Sequence, residues 1–94
     1  MNIISPKLIK DYLERKFKGK YKLSSDNVEY IVPSIFIDND YKRHMSINSE
    51  TGLWQCFKSG KVGDFYKLVS ILERVSVKAA LSMFSVESFL SESP

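Results

Sequence analysis

A single cysteine, Cys56, excludes an internal disulfide and fits a reducing, cytoplasmic setting. Histidine is as scarce. With His44 alone, and no Ser/His/Asp or Cys/His pattern to place beside it, no catalytic constellation can be assembled and an enzyme is not expected. No apolar run approaches the roughly 20 residues that cross a bilayer. The segment Met1 to Pro6 has no apolar stretch of the length a secretory signal needs, so a soluble protein is expected. Internal repeats and low-complexity segments are also missing. Glycine and proline are few, four and three, so each one marks a specific break in the chain.

What is present is ample apolar material: 44% of the residues are hydrophobic and 13% aromatic, which excludes disorder by composition. Ninety-four residues make one small domain with a marginal core. The net charge of +3 is unevenly placed. Seven basic residues between Lys7 and Lys22 face only Asp11 and Glu14. Residues 23–41 carry Asp26, Glu29, Asp38 and Asp40 with no base, and Lys42, Arg43, Lys58, Lys61 and Lys67 restore positive charge downstream. Such clustering suits a polyanionic partner, and equally a solvated lysine-rich helix face.

Ser5-Pro6 is a helix start, with a Ser cap and Pro at the first position. Leu8, Ile9, Tyr12, Leu13 and Phe17 then share one face, and Gly19 stops the helix, predicted over Pro6–Lys18. From Tyr21 the period becomes two. Tyr21 and Leu23, the polar turn Ser24 to Asn27, and the alternating Val28, Tyr30 and Val32 predict a hairpin ended by Pro33. The acidic run Asp38-Asn39-Asp40 reads as an exposed surface turn, and His44 as a surface polar group. His44 to Asn48 and Leu53 to Phe57 predict a second hairpin, with Gly52 at its positive-φ position. Gly60 and Gly63 read as turn residues. Asp64 caps a helix through Val75, and Ser76 caps a further short helix through Phe84. The expected architecture is α+β: a small antiparallel sheet of two hairpins, with an N-terminal helix and two or more C-terminal helices. Residues 1–84 form one domain, and 85–94 a tail or the start of a linker.

That element order, and the run "MSINSETGLWQCFKSGKVGDFYKLV" from Met45 to Val69, resemble the N-terminal zinc-binding domain of bacterial-type DNA primases and of phage primase–helicases. The resemblance is specific over about 25 residues and plausible from roughly Leu8 to Phe84. Gly52, Trp54, Cys56, Phe57, Gly60, Gly63 and Asp64 match the second half of that family's pattern. The metal ligands do not. Val32 and Ile35 stand in the upstream ligand places around Pro33, and the downstream pair is Cys56 and Ser59. One thiolate, one hydroxyl and two aliphatic groups do not make a tetrahedral zinc site. A zinc-ribbon-like fold without metal or other cofactor is therefore expected, with Val32, Ile35 and a buried Cys56 forming an apolar cluster.

The resemblance implies a non-catalytic module that binds single-stranded DNA beside a separate polymerase or helicase, in a bacterial or phage-infected cell. Phosphate contacts need basic groups and base stacking needs aromatics. The candidates are Lys42, Arg43, His44, Trp54, Lys58 and Lys61, with Tyr41 and Tyr66 as further aromatics. Alternation pairs Trp54 with Cys56 on one face and sets Leu53, Gln55 and Phe57 on the other, so core packing competes with stacking for Trp54. The alternative expectation is a protein-interaction domain that docks a replication or transcription partner, such as a small phage regulator.

Overall fold

The computed structural model describes residues 4–92, with side chains described for residues 4–84. Helix α1 (Pro6–Lys16) starts as the Ser5-Pro6 pair dictates, and the Ser5 hydroxyl accepts from the Lys7 amide. It ends two residues earlier than expected, with Phe17 already outside helical geometry. Five strands follow: β1 (Lys22–Leu23), β2 (Glu29–Val32), β3 (Met45–Asn48), β4 (Trp54–Cys56) and β5 (Val62–Gly63). They form one antiparallel meander in chain order, so the two expected hairpins are fused into one sheet. The fifth strand, β5, was not expected. Two helices close the fold, α2 (Phe65–Glu73), capped by Asp64, and α3 (Val77–Glu92), whose Ala79 amide binds the Ser76 hydroxyl. Helix α3 runs well beyond the short helix expected. Among the described residues no helix is long and apolar enough to cross a membrane.

Alternation sorts the sheet into two faces. One row crosses it through Leu23, Tyr30, Ile47, Trp54 and Gly63, and another through Val32, Met45 and Cys56. Of these, Tyr30, Val32, Met45, Ile47, Trp54 and Cys56 are buried against the helices. The rows Lys22, Ile31, Ser46, Gln55, Val62 and Glu29, Asn48 form the opposite, open face, on which Lys22, Gln55 and Val62 are exposed and the others half-buried.

The helices bring Ile9, Leu13, Phe17, Leu68, Val69 and Ala80 into the same core. Tyr12, Phe65 and Phe84, one from each helix, meet edge-on with ring centroids 5.1–5.9 Å apart. Each large side chain buried here contributes roughly 1.5–3 kcal/mol. Polar ends of buried aromatics are satisfied: Tyr12 Oη donates to Glu73 Oε2 at 2.7 Å, and Tyr30 Oη to Glu14 Oε2 at 2.5 Å. Lys16 Nζ reaches the same Glu73 oxygen, so α1 and α2 are joined by a shared carboxylate. Lys16, then Tyr12, hold the Glu73 carboxyl below its ordinary range, and burial followed by Glu73 pushes the Tyr12 phenol upward.

Candidate nucleic-acid interface

The strands run so that one end of the sheet receives every turn carrying a candidate base. The α1–β1 link (17–21), the long β2–β3 loop (33–44) and the β4–β5 turn (57–61) all lie at the end where β2 and β4 finish. Lys18, Lys20, Lys42, Arg43, Lys58 and Lys61 are therefore gathered there, with Lys22 at the start of β1. Arg43 Nε donates to the Lys20 carbonyl at 2.7 Å, which fixes two of these turns to each other. The opposite end carries the β1–β2 and β3–β4 turns with Asp26 and Glu50, and Asp64 follows β5. Bases thus outnumber acids at the first end, where Asp38 and Asp40 also lie, and acids lead at the other.

The long loop is pinned from inside by Asp40. Its Oδ2 accepts from the backbone amides of Ser34 at 2.8 Å and His44 at 2.7 Å, and its Oδ1 lies 2.6 Å from His44 Nδ1. Only 6% of Asp40 is exposed, which corrects its expected place on a surface turn. Asp38 and Asn39 are exposed as expected. Burial alone would raise the Asp40 pKa, but the His44 and Ser34 amides and the His44 ring outweigh it and hold the carboxyl at about 2. His44 is half-buried and oriented by this contact rather than free on the surface.

At the places where the resemblance would put metal ligands, Val32 is fully buried and Ile35 packs against the core, while Ser59 is exposed. Cys56 is buried as expected, but its environment is not purely apolar. Ser34 Oγ lies 3.0 Å from Cys56 Sγ, and the Ser59 amide donates to the sulfur at 3.4 Å. The Gly60 amide binds the Cys56 carbonyl at 2.9 Å, completing a knuckle around sulfur. Burial pushes the Cys56 thiol up, yet Ser34, Ser59 and the Lys58 amide together bring it down to about 7. These groups do not fit a zinc ion. Two ligand places are aliphatic and the third points outward, and among the described residues no three His, Cys, Asp or Glu side chains gather at metal-binding range. Ser34, which the sequence pattern did not single out, joins the β2–β3 loop to the end of β4.

The six candidate residues do not share one surface. Lys42, Arg43, His44 and Lys58 belong to the gathered turns. Trp54 is only 3% exposed. Its Nε1 donates to the Asp64 carbonyl at 2.7 Å, and the indole lies so close over Gly63 that a Cβ there would meet Cζ2 at 2.7 Å. The ring holds β4 to the start of α2 and offers no face to a base. Lys61 stands opposite Cys56, whose amide binds its carbonyl, and its Nζ lies 5.0 Å from the Phe36 ring centroid on the helix side. The exposed aromatics at this end are Phe57 at 60% and Tyr41 at 79%. The Phe57 amide donates to the His44 carbonyl at 2.7 Å, which sets the Phe57 position beside His44. Parity counted from a buried Cys56 identifies Phe57 as the outward aromatic. No family model matches the chain, and no curated protein or solved structure matches it either.

Proposed function

We propose that the chain is a non-catalytic module that binds single-stranded DNA through the basic end and open face of its sheet. The observation that carries this is the segregation of charge. Lysines and Arg43 distant in sequence converge on one end, around exposed Phe57 and Tyr41, where they outnumber Asp38 and Asp40, while Asp26, Glu50 and Asp64 lie at the other. Phosphates would be held by Lys42, Arg43, Lys58 and the lysines of the α1–β1 link, and bases would stack on Phe57 and Tyr41. The resemblance of Met45 to Val69 to primase zinc-binding domains motivates the same reading. The module would act as a zinc-free template-recognition unit of a replication primase or primase–helicase, in the cytoplasm of a bacterial or phage-infected cell. Fluorescence anisotropy against a labelled oligothymidine at two salt concentrations tests it. Binding that weakens steeply with salt is expected. Absence of binding at low salt, or binding indifferent to salt, would sink the proposal.

A second reading, docking of a replication or transcription protein, draws on Val75 and Val77 at the α2–α3 junction and Met83 within α3, apolar residues about two-fifths exposed. A pull-down that recovers a specific protein through this face, with no salt-dependent DNA binding, would favour it.

A further inference from the structure

At the other end of the open face, Glu29 is held by two strand neighbours. Ser46 Oγ donates to its Oε1 at 2.5 Å and Asn48 Nδ2 to its Oε2 at 2.9 Å. The Asn48 amide is itself oriented from behind, because its Oδ1 accepts from the Glu50 and Thr51 amides at 2.8 and 3.0 Å. Among the described residues no lysine or arginine forms an ion pair with Glu29. A shallow cavity of about 310 Å³ lies at the carboxylate, lined by Glu29 with Ser46, Asn48, Thr51, Leu53, Trp54 and Gln55. Leu53 is 59% exposed and gives this cavity an apolar wall.

A carboxylate offers about four acceptor directions, and only two are used by Ser46 and Asn48. What remains is a pair of adjacent acceptors, fixed in orientation, with no ion pair to a lysine or arginine among the described residues. A phosphate is repelled from such a place. The complementary group is a flat edge with two neighbouring donors. Among the bases, guanine alone presents this, through N1–H and the N2 amino group. Adenine and cytosine place an acceptor nitrogen beside their amino group, which would face the second carboxylate oxygen. Thymine places its single N–H between two carbonyls. The four steps from His44 to Asn48 along β3 span about 13 Å at roughly 3.3 Å per residue. A strand anchored at the basic end therefore reaches this cavity within a few nucleotides.

We propose that Glu29, clamped by Ser46 and Asn48, is a guanine-reading subsite for a single strand whose phosphates are held at the basic end. The proposal rests on the single-strand reading above and adds base selectivity to it. A guanidinium from a protein partner also carries two parallel donors. The wall at Leu53 and the basic surface on the same sheet favour a base on a polyanion.

The test is anisotropy at low salt with labelled oligothymidines carrying one central guanine, inosine, cytosine or adenine. The guanine oligonucleotide is expected to bind about tenfold or more tighter than plain oligothymidine, as for a bidentate base contact. Inosine, which lacks the N2 amino group, should lose most of that gain. Glu29→Gln should bring the guanine oligonucleotide to the oligothymidine level while leaving oligothymidine binding in place. The inosine comparison uses the unaltered protein, so it stands even if the variant folds poorly. Equal, salt-dependent affinity for all four bases would overturn the guanine site and leave single-strand binding intact. No binding to any oligonucleotide would overturn both. Two competitors identify the source of the donors. If GMP alone displaced the guanine oligonucleotide at matching affinity, a free nucleotide would replace the strand as ligand. If an arginine peptide occupied Glu29 in place of any base, a protein partner would do so. Either result overturns the proposal.

Discussion

Trp54 and Phe57 lie three positions apart, and the odd interval puts one indole under the helices and one phenyl ring in water. Truncating them should therefore have separable consequences. Phe57→Ala is expected to weaken single-strand binding by about 1–3 kcal/mol, the worth of one stacked base, with the melting temperature nearly unchanged. Trp54→Ala should instead cost about 3–5 kcal/mol of stability, read by urea denaturation, because it empties a packed site and orphans the Asp64 carbonyl. Equal losses of affinity in two folded variants would contradict this division. Asp40 makes a different prediction at the same scale. Its carboxyl is held at about 2, below the ordinary carboxylate range near 3.8, so it is the ionised form that the fold favours. That contribution is complete above about pH 4–5 and is lost as pH falls toward 2. Asp26 and Glu73 are also depressed and add to acid sensitivity, so the informative quantity is the difference between proteins. Asp40→Asn should be less stable than the natural chain at neutral pH, and the gap should narrow on acidification. A gap that stays constant from pH 7 to 2.5, followed by circular dichroism in urea, would rule out the buried carboxylate as its source.

The elements themselves differ in how much each owes to a single residue. Gly52 closes the β3–β4 turn with φ at +81°, and a Cβ there would stand 2.6 Å from Phe65 Cβ at the start of α2. Gly60 has nearly the same φ, +76°, with nothing within 4 Å of its missing Cβ. Gly60→Ala should therefore cost only the left-handed backbone penalty, about 1–2 kcal/mol. Gly52→Ala should cost clearly more, because β4 and α2 must also separate, and equal urea midpoints for the two variants would refute the close contact. Elements with a local signal were legible in the sequence. Ser5-Pro6, Asp64 and Ser76 mark helix starts by their own hydrogen bonds, and Val28 to Val32 and Met45 to Asn48 alternate strongly enough to fix the buried face. Strand β5 was not legible because two residues, Val62 and Gly63, carry no period; pairing with β4 alone makes them a strand. The 33–44 loop was not legible either. An acid in "DND" reads as surface, and only contacts with Ser34 and His44 across the loop take Asp40 inside. The site divides likewise: Lys42, Arg43, His44 and Lys58 were brought together by topology, while the same alternation turned Trp54 and Lys61 to the helix side.

At the scale of the molecule, a chain of 94 residues with no disulfide must hold the β2–β3 loop and the β4–β5 turn together without a covalent link. The aromatic side chains of the helices supply much of the alternative, since Tyr12, Phe65 and Phe84 link all three helices in one contact. The rest comes from polar crosslinks local to the turns: Asp40 within the long loop, Ser34 to Cys56 between loop and knuckle, and the Ser59 amide on sulfur. If those groups carry the load, chelation has nothing to remove. The melting curve with EDTA should overlay the curve without it, and the purified protein should contain far less than one equivalent of zinc. Ser34→Ala should lower the melting temperature in both conditions by the same amount, since it removes one of two polar contacts on the sulfur and the acceptor of the Phe36 amide without touching any metal. A chelator-dependent melt would instead require ligands beyond Cys56, and would place the stabilising link on a metal rather than on Ser34 and Asp40.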